Sequence, residues 1–260
     1  MCRTDQVLLW YRCAVLAVFA AVCAFETRAD APVCDLPVVE QALVSSVEDG
    51  TTFTLVDGRR VRLAAVLAPS GTEPHAREAT AALATLISGK SAALALDASA
   101  TDRHGRLLAH VFRDDTWIQL ELIAAGHARV QTRTDMRRCA KPLLAAEATA
   151  RSGKRGLWAL PHYRVRAPDE LDDVIGTFQI VEGRVRSVAA VKGRAYLNFG
   201  ADYRTDFTAT IAPRDVKRLR QDAVDPAAWA GKRVRLRGWL SRLNGPELEL
   251  THAEQIQIIE

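Results

Sequence analysis

What the 260-residue chain lacks first is an apolar stretch long enough to cross a bilayer. Its longest unbroken apolar run, Cys13 to Phe25, has 13 residues, and a spanning helix needs about 20. The run follows Arg3 and Arg12 and precedes Thr27-Arg28-Ala29, which offers small residues on the near side of a cleavage point. That is the pattern of a secretory signal peptide over residues 1–29. Retention as a membrane anchor is the alternative reading, and no stable membrane insertion is expected once the segment is cleaved. Cys23 does not convert it into a lipoprotein signal, because Val22 stands where such motifs carry a small residue. The expected location is periplasmic or secreted.

Cysteine is scarce too. Five occur in all, and cleavage after Ala29 removes Cys2, Cys13 and Cys23. With only Cys34 and Cys139 left and six scattered histidines, no zinc-ligand spacing appears. An oxidising compartment allows those two cysteines to pair, and two buried free thiols are the alternative. A strong charge of one sign is also missing. Beyond residue 29 there are 32 basic and 29 acidic residues, too even a balance for a dedicated electrostatic binder of nucleic acid. What is present is an ordinary globular composition, 48% apolar and 25% charged, which excludes bulk disorder.

Leu43–Val47, Thr51–Val56 and Arg60–Ala65 read as strands, separated by turn signals at Asp49-Gly50 and Asp57-Gly58. Pro74 opens a helix to Ile87 with an apolar face of Ala79, Leu83, Leu86 and Ile87. Ser91–Asp97 and Leu107–Phe112 are further strands, and Leu120–Ala125 and Lys141–Arg155 further helices. This makes a mainly β, α+β fold: a five-stranded barrel of OB type with three helices over residues 32–160. The polar stretch 161–173, with two prolines and no period, reads as a linker. Strands at Phe178–Val188, Ala195–Phe199 and Phe207–Ile211, a helix at Pro213–Gln221, and strands at Arg233–Leu240 and Leu248–Ile259 then restart the order of an OB fold over 174–260. No sequence repeat links the halves.

Five landmarks occur in order from Leu43 to Trp158. They are Val47-Glu48-Asp49-Gly50-Thr51-Thr52, Val61-Arg62-Leu63 leading to Ala68-Pro69, Thr101-Asp102-Arg103-His104-Gly105-Arg106, the helix end Leu122–Ala128, and Gly156-Leu157-Trp158. Together they resemble the thermonuclease, or staphylococcal-nuclease-like, family. The resemblance implies a calcium-dependent phosphodiesterase of DNA and RNA. Such chemistry uses two arginines on the phosphate, carboxylates and a carbonyl on the metal, and a glutamate that prepares the attacking water.

Carried over by position, the arginines fall on Arg62 and Arg106. The metal aspartates fall on Thr51 and Leu67, the carbonyl ligand on Ala68 and the general base on Ser70. Every carboxylate of that set is missing, so no cofactor is expected, although calcium is the family's. The family's two nucleotide-flanking tyrosines fall on Thr132 and Thr134. Glu48, Asp49 and Glu73 are the nearest acids; they read as solvated loop charges, with Glu73 folding back as the alternative. His104 reads as an exposed loop residue, with a catalytic role or phosphate contact as the alternative.

The cluster Arg129, Arg133, Arg137, Arg138 and Lys141 reads equally as a phosphate track or a solvated loop. The second half carries 14 basic and 10 acidic residues, with Tyr196, Phe199, Tyr203 and Phe207 near two of its strands. Those rings suit either base stacking or core packing. Tyr196-Leu197-Asn198-Phe199-Gly200 is similar to a motif that accompanies thermonuclease-like domains in exported bacterial proteins. The expected function is a non-catalytic protein that binds nucleic acid, another polyanion or a protein partner. A weak or unconventional nuclease is the alternative.

Overall fold

The computed structural model describes residues 34–96 and 101–259. The expected signal peptide and Asp97 lie outside the described residues. The described residues group as one unit by their contacts.

Three strands open the first half: β1 (Val38–Val47), β2 (Thr52–Leu55) and β3 (Arg60–Leu63). They form an antiparallel meander with Val47 opposite Phe53 and Phe53 opposite Val61. Asp57 makes the second turn by accepting the Arg59 N–H at 2.9 Å. After a two-residue strand β4 (Val66–Leu67) comes helix α1 (Ala76–Ile87), which buries Ala76, Ala79, Leu83 and Ile87 at helical spacing. Strands β5 (Ser91–Ala95) and β6 (Leu107–Arg113) follow. β5 pairs with β1 and with β6, and β6 returns to pair in parallel with β3, Val61 opposite Leu107. The order β1-β2-β3-β6-β5 therefore closes on itself, which removes every free edge. Phe53, Leu55, Val61, Leu63, Leu94 and Val111 fill the interior.

A short β7 (Thr116–Trp117) pairs with β6 and leads into α2 (Ile118–Ala124). Gln119 on that helix is fully buried, accepting from Val111 N and donating to Ala109 O. It thereby pairs the Val111 N–H inside the core and adds a second donor to Ala109 O, which also accepts from Ala64 N. Strand β8 (Arg129–Val130) pairs with β4, and α3 (Ala140–Ser152) packs on α2. The chain crosses itself at Gly126 and Gly156. A Cβ on Gly126 would sit 2.1 Å from Arg155 O, and one on Gly156 would sit 2.3 Å from Gly126 O. Both carry positive φ, so only glycine fits this crossing. Cys34 and Cys139 are joined in a disulfide across 105 residues, tying the first described residue to the start of α3.

The second half uses the same plan. Its elements are β9 (Phe178–Arg184), β10 (Ser187–Val191), β11 (Arg194–Asn198), β12 (Thr208–Ile211), helix α4 (Pro213–Gln221), β13 (Arg233–Leu243), β14 (Gly245–Glu249) and β15 (Ile256–Ile258). β10, β11 and β12 form a meander; β12 then pairs in parallel with β14, β14 with β13, and β13 with β9. The bend at Val185–Arg186 joins β9 to β10 and completes the circuit. In both halves the parallel pair falls between the third strand of the meander and the second strand after the helix. The single strand expected over 178–188 is thus two, and the one expected over 248–259 is split by a 3-10 turn at Ala253–Gln255.

The segment 161–173 is packed on both sides. The Tyr163 hydroxyl donates to Pro74 O at 2.7 Å, Arg166 exchanges two backbone hydrogen bonds with β9, and Leu171 is fully buried.

Candidate functional site

The first side of the site is the turn between β1 and β2. Asp49 accepts both the Thr51 N–H (2.7 Å) and the Thr51 hydroxyl (2.9 Å), so its carboxylate is committed to holding the turn. Gly50 lies so close to Ala68 and α1 that a Cβ there would approach Ala68 Cβ to 2.7 Å. Glu48 is held by Arg60 and Thr54, and the Arg60 guanidinium keeps its carboxyl below the usual range. Arg62 stands on β3 opposite Thr52. Its Nη1 reaches the Thr51 hydroxyl at 3.4 Å. Among the described residues Arg62 forms no ion pair. Burial lowers its pKa, the neighbouring Arg106 lowers it further, and Asp49 and Asp102 oppose them.

The second side is the loop 101–106, which organises itself around Asp102. That carboxylate accepts from His104 N (2.8 Å), Arg106 N (3.0 Å) and Arg106 Nε (2.8 Å), with Nη2 at 2.7 Å. Burial pushes the Asp102 pKa up, but Arg106 and the two N–H groups outweigh it and the net direction is down. Gly105 takes the positive φ that closes the loop. Arg106, thus oriented, donates from Nη1 to the Thr52 hydroxyl at 3.2 Å. Two guanidinium groups, one on β3 and one at the end of the loop that leads into β6, are therefore anchored on adjacent threonines and face one groove of about 720 Å³.

A family model described as staphylococcal nuclease homologue matches residues 60–160. A probable staphylococcal-like nuclease of Oryza sativa subsp. japonica is 36% identical over 101 residues, 38% of this chain. Residues 60–160 form a staphylococcal-nuclease-homologue domain. The matched stretch covers only 29% of that relative's length. Both arginines, Leu67, Ala68 and Ser70 fall inside the matched domain, whereas Thr51 and the whole second barrel fall outside it.

The nuclease-homologue domain does not gather all of the residues grouped from the sequence. Leu67 lines the arginine groove with its apolar side chain. Thr51 and Ala68 are buried and do not line it. Ser70 instead lines a separate cavity of about 390 Å³ together with Glu48 and Asp49. Glu73 is exposed, as a loop charge would be, and does not line the groove; its carboxylate accepts the Ser70 N–H at 2.7 Å and lies 3.4 Å from the hydroxyl. Among the described residues the groove holds one carboxylate, Asp102, and that is bound to Arg106. Calcium takes about 6–8 oxygen ligands, several of them anionic, and this donor set does not fit it. Among the described residues one group of three candidate metal ligands lies close together, Cys34, His110 and Cys139, and two of these form the disulfide.

The basic cluster from the sequence is divided by the fold. Arg129 is buried, its guanidinium between the rings of Tyr163 (4.9 Å) and Phe178 (5.1 Å) and donating to Phe178 O. Arg133 reaches the arginine groove. Arg137, Arg138 and Lys141 line a second cavity of about 610 Å³ between α3 and the second barrel. Thr132 is buried and shares a hydrogen bond with His252, while Thr134 is half-buried. His104 is exposed on the groove wall. Of the four second-barrel aromatics, Phe207 is core, Phe199 is half-buried against it, and Tyr196 and Tyr203 line a cavity of about 410 Å³ away from the arginines.

Two contributors escaped the sequence reading. Asp102 positions Arg106, and its signal was present: an aspartate followed at the third and fourth positions by glycine and arginine suits an Asx-type loop. The other is Trp239, which enters the arginine groove from β13 of the second barrel. No local pattern connects it to Arg62.

Proposed function

We propose that this is an exported protein whose nuclease-homologue domain binds the phosphodiester backbone of nucleic acid, or a similar polyanion, without cleaving it. The observation that carries the reading is the composition of the groove among the described residues: two oriented guanidinium groups, one of them without a carboxylate partner, and no carboxylate free to hold a metal ion or prepare a water. Arg62 and Arg106 bind the anion, with guanidinium forks suited to phosphate oxygens. Thr51, Leu67, Ala68 and Ser70 leave the metal and base functions unfilled, so the reaction associated with the family is lost and no calcium is used. Partners are nucleic acid or another polyanion, with a protein partner as a further class.

Export is supported by the signal-peptide pattern at residues 1–29, and the disulfide is compatible with an oxidising compartment. No helix among the described residues is long and apolar enough to cross a membrane. A weak nuclease is the second reading. One observation favours it: the Glu73 carboxylate lies against Ser70, beside the position of the general base.

A nuclease assay on single- and double-stranded DNA and RNA, with calcium and with chelator, separates the two. Binding without shortening of the strands supports the first reading. Calcium-dependent cleavage that disappears in Arg106→Ala would overturn it, and loss of that cleavage in Glu73→Gln would identify the substitute base.

A further inference from the structure

Of the tryptophans in the described residues, Trp117, Trp158 and Trp229 are 6%, 8% and 3% exposed, whereas Trp239 is 52% exposed. An indole left in water has lost most of the hydrophobic benefit of its size, so its position asks for a reason. Trp239 stands on β13 opposite Phe178 on β9, and the Phe178 ring meets it edge to face at 6.1 Å. Phe178 is itself fixed, 4% exposed, with the Arg129 guanidinium over its ring. The indole is thus supported from behind and open in front. Its open side lines the same groove as Arg62, Arg106 and His104.

Arginines that take phosphate beside an exposed, braced aromatic ring form the pairing that single-stranded nucleic acid requires. The cations meet the backbone, and the ring stacks an unpaired base of any identity. A duplex keeps its bases stacked on one another and offers the indole no free face. We infer that Trp239 is a base-stacking platform and that the second barrel, by supplying it, makes the arginine groove selective for single-stranded nucleic acid. The inference rests on the polyanion-binding reading of the groove. The strand has a continuation: Arg235 and Arg237 share β13 with Trp239 at two-residue spacing and line the next cavity with Lys141 and Arg151. Both arginines are held by carboxylates, Arg235 by Glu182 and Arg237 by Glu147, so the cation open to a chain leaving the tryptophan along β13 is the exposed Lys141.

The test uses the intact chain with oligothymidylate, an abasic sugar-phosphate oligomer of equal length and a short duplex. Oligothymidylate should quench the tryptophan emission, and the quenching should vanish in Trp239→Phe, which removes the indole while keeping a ring. Trp239→Ala should weaken oligothymidylate binding by about ten-fold or more and leave the abasic oligomer and the duplex unchanged, with Trp239→Phe restoring part of the affinity. Unchanged oligothymidylate affinity in Trp239→Ala, alongside a loss in Arg62→Ala, would overturn the inference and leave the phosphate reading intact. If wild-type protein binds none of the three, both fall. A duplex that competes as well as the single strand overturns the selectivity.

Discussion

Asp102 shows how one side chain sets another. It accepts three hydrogen bonds within its own loop, two of them from Arg106. Deleting it leaves part-buried donors of Arg106 without their acceptor as well as releasing the arginine. Asp102→Ala should lower stability by about 1–3 kcal/mol, with Asp102→Asn costing less because it retains an acceptor. Equal urea midpoints for wild type and Asp102→Ala would contradict that role. Two histidines carry a pH dependence. Burial pushes both His110 and His252 down to about 4, whereas an unfolded histidine titrates near 6.5. Above that pH neither state is protonated and the full stability is present. As pH falls the unfolded chain gains protons that the fold refuses, and stability drops by about 1.4 kcal/mol per unit for each histidine. Urea unfolding between pH 6.5 and 5, above the usual carboxylate range, should show the slope, and His252→Gln should remove about half of it. An unchanged slope in that variant would contradict the assignment.

Among the elements, the crossing at Gly126 and Gly156 is the sharpest case of backbone dictating residue. Ala at Gly58 meets only the strain of a left-handed φ, about 1–2 kcal/mol, because nothing lies within 4 Å of its Cβ. Ala at Gly126 meets the same strain and a carbonyl at 2.1 Å. Gly126→Ala should therefore lower the Tm well beyond Gly58→Ala, and comparable Tm values would show that the chain relaxes there. The barrel was legible from sequence because its evidence is local: Asp-Gly turns, strand-length apolar runs, and α1's repeat of Ala79, Leu83 and Ile87. The arginines were legible through ordered motifs. The break between β9 and β10 was not, since alternation continues through Val185 while the pairing partner changes. Trp239 was invisible for a deeper reason: its partner in the groove, Arg62, lies on another barrel, and sequence periodicity carries no information about contacts of that separation.

The two barrels meet through buried polar contacts. Glu147 on α3, fully buried, accepts from Val130 N and binds Arg237 of β13 at 2.7 Å, while Thr132 meets His252. Removing one member strands a charge, so Glu147→Ala should cost about 3–5 kcal/mol. Replacing both, as in Glu147→Leu with Arg237→Met, should cost less than the two single changes together; strictly additive urea midpoints would contradict this coupling. That junction is also what brings Trp239 to the arginines, so the site belongs to both barrels. The most direct measurement is fluorescence anisotropy of a labelled single-stranded oligonucleotide titrated with the intact chain, in calcium and in chelator, with the strand length checked afterwards. We expect the same affinity in both conditions, an intact strand, and about ten-fold or more weakening in Arg62→Ala from the loss of a charge-assisted phosphate contact. Affinity that requires calcium, or a strand shortened by wild type and not by Arg106→Ala, would contradict a groove that holds nucleic acid without cutting it.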